Sequence, residues 1–149
     1  MQSGPILVPV DFEEGSRRAL AFAKELARGL GDELALVHVY TLPVYIYPGL
    51  GPSPTPFFHP EISDAARAAL DQLAKDAGVQ RAILRDGDAA DQILATAAEL
   101  GARMIVMGTH GRRGFAHLLL GSVAERIVRQ SPIPVVTVRA PATSAAAAG

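Results

Sequence analysis

The chain contains no cysteine, which excludes a disulfide framework and a thiolate metal site. Charge of one sign is also missing. Its 14 Lys and Arg stand against 15 Asp and Glu, for a net charge of −1. Dedicated nucleic-acid binders carry a strong basic surplus, so the balance argues against that class. No long hydrophobic run occurs. The apolar stretch 5–10 is too short for a signal peptide or a membrane span, and no basic segment precedes it. The expectation is a soluble cytoplasmic protein without membrane contact. Two further absences bear on catalysis. There is no G-x4-G-K-S/T phosphate loop, and the glycine-rich stretch 108–122 holds no lysine. Between Asp91 and Glu125 the sole carboxylate is Glu99, within an expected helix. The stretch therefore offers no evident general base or Mg²⁺ carboxylate close in sequence.

What is present suits one domain of 149 residues with a single core, since 49% of the chain is hydrophobic. Ile6, Leu7 and Val8 form a short apolar run of the kind buried on both faces of a parallel sheet. Asp11 to Glu14 can cap the helix that follows, with Leu20, Ala23, Leu26, Ala27 and Leu30 on its inner face. Residues 33–40 read as the second strand. A helix over 61–77 places Ile62, Ala66, Ala69, Leu70, Leu73 and Ala77 inward, and residues 79–84 make the third strand. Asp88 caps a third helix that Gly101 stops. Residues 103–107 form the fourth strand, a fourth helix carries Val123, Ile127 and Val128, and 133–138 is the fifth strand. No internal repeat or second domain is evident, and the small-residue tail 140–149 reads as disordered. Alternating strands and helices specify an α/β fold, a doubly wound parallel sheet with helices on both faces.

The segment 41–60 stands apart. Pro43, Pro48, Pro52, Pro54, Pro56 and Pro60 argue against any regular element there. Tyr45, Tyr47, Phe57 and Phe58 make it too aromatic for a polar linker, so it is expected to pack on the sheet, a ligand or another subunit.

The most informative stretch is 105–122. A strand breaks into a loop holding Gly108, Gly111 and Gly114, which closes on Gly121 and Ser122 before a helix. Strand, glycine-rich loop and helix N-terminus present backbone N–H groups to an anion such as phosphate. Tight turns and helix starts use glycine too. The spacing is more specific: Gly108, Gly111, Gly121 and Ser122 resemble the G-x2-G-x9-G-S/T nucleotide loop of the ATP-binding members of the universal stress protein family. Pro9, Val10 and Asp11 resemble that family's first-strand exit, and residues 131–139 its last strand.

The resemblance implies a single-domain, Rossmann-like sheet of the adenine nucleotide alpha-hydrolase type, five strands in the order 3-2-1-4-5. Ligands in such sheets sit beyond the carboxyl ends of the strands where the order reverses, here between strands one and four, where Asp11 and Gly108 leave the sheet. The candidate nucleotide contacts are Pro9, Val10, Asp11, Val39, Met107, Gly108, His110, Gly111, Arg112, Gly121, Ser122 and Val123. Pro9 and Val39 would line the base and Asp11 would accept from its exocyclic amine. Asp11 as a helix cap is an equally open reading. Arg112 and Arg113 can screen a polyphosphate or stand solvated. His110 and His117 have no third ligand clustered with them, so no metal site is assigned.

The leading expectation is an ATP-binding stress-response sensor, with or without Mg²⁺; AMP or cyclic AMP stays open. A homodimer through strand 133–139 and an unidentified protein partner accompany it. An adenine-nucleotide hydrolase of the same fold and a nucleotide-free dimer module are the alternatives. No catalytic residue is assigned, because holding ground and transition states alike gives no rate.

Overall fold

The computed structural model describes residues 3–42, 44–49, 51–54, 60–110 and 120–139. In chain order the first half runs β1 (Ile6–Pro9), α1 (Glu14–Leu30), β2 (Leu34–Tyr40), β3 (Val44–Tyr47), β4 (Gly51–Pro54) and α2 (Pro60–Ala77). The second half runs β5 (Arg81–Asp86), α3 (Ala89–Leu100), β6 (Met104–Gly108), α4 (Ser122–Gln130) and β7 (Val135–Val138).

Ile6, Leu7 and Val8 of β1 have no exposed surface, and successive strand side chains enter opposite faces. Ile6 and Val8 join a core with Leu20 and Ala23 of α1 and Leu70 of α2. Leu7 joins a second core with Ile93 of α3 and Ile127 of α4. A strand covered on both faces has no polar side, which is why its sequence is an unbroken apolar run. The five parallel strands lie in the order β5-β2-β1-β6-β7, which within the main sheet is the expected 3-2-1-4-5. Pairing between β1 and β2 runs from Ile6↔Leu34 to Pro9↔Val37. Pairing between β1 and β6 covers Ile6↔Met104 and Leu7↔Ile105 alone, so these two strands separate early and leave a gap at their carboxyl ends.

Three details differ from the sequence reading. The segment 41–60 does hold regular structure: β3 and β4 form a two-stranded antiparallel ribbon, with Val44 opposite Pro54 and Tyr47 opposite Gly51. Pro52 and Pro54 are two residues apart, so both fall on one parity. Gly51 and Ser53 are left to supply the N–H donors, and a two-stranded ribbon tolerates proline there. Residues 55–59 and the tail 140–149 lie outside the described residues. The cap of α1 is Glu13, which makes no side-chain cap bond; Asp11 stands two residues earlier and accepts from the Glu13 N–H at 3.0 Å. Leu30, Ile62 and Ala69, expected inward, are exposed; Leu30 and Ile62 fall near the ends of their helices, and Ala69 lies on the outer flank of α2 beside the buried Leu70. The cap of α3 is as expected: the Asp88 side chain accepts from the Asp91 N–H, and Gly101 closes the helix with φ 59°.

Leu70 and Ala74 are the buried residues of α2, so this helix rests on a narrow contact. Leu70→Ala removes its largest anchor and is expected to cost about 2–5 kcal/mol, read as a lower midpoint in urea unfolding.

Candidate functional site

The gap between β1 and β6 is a crevice of about 310 Å³, within the roughly 300–1,000 Å³ typical of small-ligand sites. Pro9, Val10 and Asp11 form one wall as the chain leaves β1, and Val37 and Val39 of β2 extend it. Met107, Gly108, Thr109 and His110 form the other as the chain leaves β6. Gly121, Ser122 and Val123 close it at the start of α4, with Ala89 and Ile93 of α3 beside them. Of the expected contacts, ten therefore converge: Pro9, Val10, Asp11, Val39, Met107, Gly108, His110, Gly121, Ser122 and Val123. Gly111 and Arg112 lie outside the described residues, as do Arg113, Gly114 and His117.

Each wall has a local cause. Gly108 is required by close approach: a Cβ there would stand 2.9 Å from the backbone carbon and oxygen of Gly15. The first turn of α1 thus lies directly on the exit of β6. Neither Gly108 nor Gly121 has a positive φ, so freedom to adopt the left-handed region is not what these two positions use. Gly121 donates to the Thr109 carbonyl at 2.6 Å, which draws the start of α4 against the end of β6. Its conformation, φ −70° and ψ 168°, caps α4 without any side-chain bond. The opening amides of a helix have no intrahelical acceptor, and here they face the crevice with the positive end of the helix dipole.

Asp11 is fixed from two sides. Its N–H donates to Ser16 Oγ at 3.2 Å, and its Oδ1 accepts from the Glu13 N–H. Oδ2 is left for a ligand. Ser16, buried at 6% exposure, completes the turn by donating to the Glu13 carbonyl at 3.1 Å. Asp11 is the one carboxylate lining the crevice among the described residues. Among the same residues no cluster of three His, Cys, Asp or Glu is placed to hold a metal.

Sequence reasoning missed Ser16, His38, Thr109, Ala89 and Ile93. Ser16 follows Asp11 closely enough to be found as a turn partner. Thr109 lies within the glycine-rich stretch itself, between Gly108 and His110, whereas His38, Ala89 and Ile93 reach the crevice through the packing of separate elements.

The universal stress protein family matches residues 3–139. The chain belongs to that family. A universal stress protein of Thermus aquaticus is 35% identical over 139 residues, covering 90% of this chain and 97% of that protein. The chain spans about half, 46%, of the longer relatives in Mycobacterium tuberculosis. Among solved structures, a family member from Archaeoglobus fulgidus in complex with dAMP aligns with a TM-score of 0.61 at 26% identity, over 92% of this chain and 98% of that one. A universal stress protein in complex with cAMP aligns at 0.62 and 25% identity, over 93% and 98%. A structure at 23% identity aligns with a TM-score of 0.76 over 96% of this chain and shares the fold described above. Among the described residues no helix is long and apolar enough to cross a membrane.

In this family member the two helices that open onto the crevice are clamped at their starts. Arg126 of α4 donates to Asp88 at 2.8 Å and Asp91 at 2.7 Å. The Asp91 N–H, and after it the Arg126 guanidinium, hold the Asp88 carboxyl below its ordinary value. A depressed carboxylate adds stability above its unfolded-state pKa and loses it as the pH falls through the folded value. Asp88→Asn keeps a capping side chain but removes the charge. The melting-temperature advantage of the unsubstituted protein over this variant should hold at neutral pH and shrink once the pH falls below about 4 towards the lowered folded value. Gly108→Ala should destabilise by about 1–3 kcal/mol through its clash with the Gly15 backbone, measured by urea unfolding.

Proposed function

We propose that this universal stress protein binds an adenine nucleotide in the crevice, ATP foremost, and acts as a nucleotide-dependent sensor or regulator of the stress response. The observation that carries the reading is the start of α4, uncapped by any side chain and set in the wall opposite Asp11. Donors without partners at one wall and a free carboxylate oxygen at the other suit a molecule that is anionic at one end and amino-bearing at the other. An adenylate is such a molecule.

In this reading the amides near Gly121, Ser122 and Val123, with the Ser122 hydroxyl, take the phosphates. Asp11 Oδ2 accepts from the exocyclic amine of the base. Pro9, Val10 and Val39 give the base apolar walls. Met107, Gly108 and His110 border the ribose. Gly111 and Arg112 join on the spacing of the glycine motif, which also supports ATP and the ATP-binding subgroup. The relatives bound to cAMP and dAMP support an adenine nucleotide in general and keep AMP or another adenylate as the alternative. Mg²⁺ would arrive with the polyphosphate. Backbone donors hold a ground state and a transition state alike, and Asp11, committed at Oδ1, is a poor general base. The reading is therefore binding with at most slow hydrolysis, in the cytoplasm.

A nucleotide sensor needs something to read it. Among the described residues β7 is an edge strand of the main sheet, and strand addition from a second copy through residues 133–139 would cover that edge. A protein partner would complete the signal.

Gly121→Val tests the site at a backbone conformation, φ −70° and ψ 168°, that valine adopts. By titration calorimetry, ATP affinity should fall about tenfold or more as the donors are obstructed, with the melting temperature little changed. Undiminished affinity in a folded variant would overturn the reading.

A further inference from the structure

β1 and β2 stop pairing at Pro9↔Val37. One residue later the Val10 N–H still donates to the Val37 carbonyl at 2.9 Å. The Val10 carbonyl, however, takes its hydrogen bond from a side chain, His38 Nδ1, at 2.7 Å. A carbonyl only accepts, so Nδ1 carries the proton and the imidazole tautomer is fixed.

Phe12, two residues on, holds φ 67° and is the one non-glycine residue with positive φ among the described residues. A bulky side chain is disfavoured there and stays only when its surroundings impose it. The Phe12 ring lies 4.5 Å from the His38 ring, centroid to centroid, at 48°. One imidazole thus holds both ends of a three-residue turn, the carbonyl of Val10 and the ring of Phe12. The residue between them is Asp11, whose carboxylate borders the crevice.

We infer that His38 is a positioning residue for base selection: it fixes the Val10–Phe12 turn and so aims Asp11 into the crevice. The inference rests on the nucleotide reading above. A fixed carboxylate oxygen accepts from a 6-amino purine and repels a 6-oxo purine, so the residue that fixes it sets the preference for ATP over GTP. The Nδ1 donor carries the effect, and the ring contact supports Phe12.

Two variants separate donor from ring. His38→Asn keeps a side-chain N–H one bond beyond Cγ and loses the ring, whereas His38→Phe keeps a ring and loses the donor. ATP and GTP binding are measured by calorimetry, and amide exchange of residues 11–13 is followed in the ligand-free protein by NMR. His38→Phe should lose about tenfold in ATP affinity and narrow the ATP-over-GTP preference, while His38→Asn stays within about threefold of the unsubstituted protein. Exchange should quicken in His38→Phe and not in His38→Asn. A His38→Phe variant that matches the unsubstituted protein in affinity, preference and exchange would overturn the inference, and so would equal loss in both variants. If the unsubstituted protein bound neither nucleotide, base selection would fall with the nucleotide reading. The exchange rates would still decide whether His38 holds the turn.

Discussion

The site depends on a contact in which no side chain takes part. Gly108 leaves β6 so close to Gly15 that a Cβ would stand 2.9 Å from the Gly15 backbone. That approach sets the first turn of α1 on the exit of β6, across the gap from β1. β1 and β6 pair over two residues and then diverge, so the crevice is the space two neighbouring strands leave when each must feed its own connection. The sheet below it is rigid because β1 has no exposed side on either face. A rigid floor with backbone-built walls can present amides to a ligand without reorganising them.

The fold was legible because burial on both faces leaves a mark that few substitutions can hide. The apolar runs at 6–8 and 104–107, and the helical spacing of Leu20, Ala23 and Ala27, follow from it. Strand order was a different matter: apolar runs say that strands exist, not which are neighbours, and the order 3-2-1-4-5 came from the family resemblance. The β3–β4 ribbon was missed because prolines count against a strand by type, whereas Pro52 and Pro54 are admitted by parity. Leu30 was misplaced because helical spacing alone does not say how much of a helix's length the sheet covers.

The site was partly legible for a related reason. Glycine spacing around 108–121 records where backbone must approach something, and Asp11 follows the strand exit. Both signals are local. His38 carries no local signal, since it acts through Val10 on a neighbouring strand. Proximity to Gly15, not a positive φ, is what requires Gly108.

The central claim is that the crevice holds an adenine nucleotide. The most direct test takes protein purified with no nucleotide added, denatures it, and identifies released small molecules by chromatography and mass spectrometry. The account predicts an adenine nucleotide in near-stoichiometric amount, ATP if turnover is slow and ADP or AMP if the site hydrolyses it. Release of nothing, together with no calorimetric response to ATP and Mg²⁺, would contradict it.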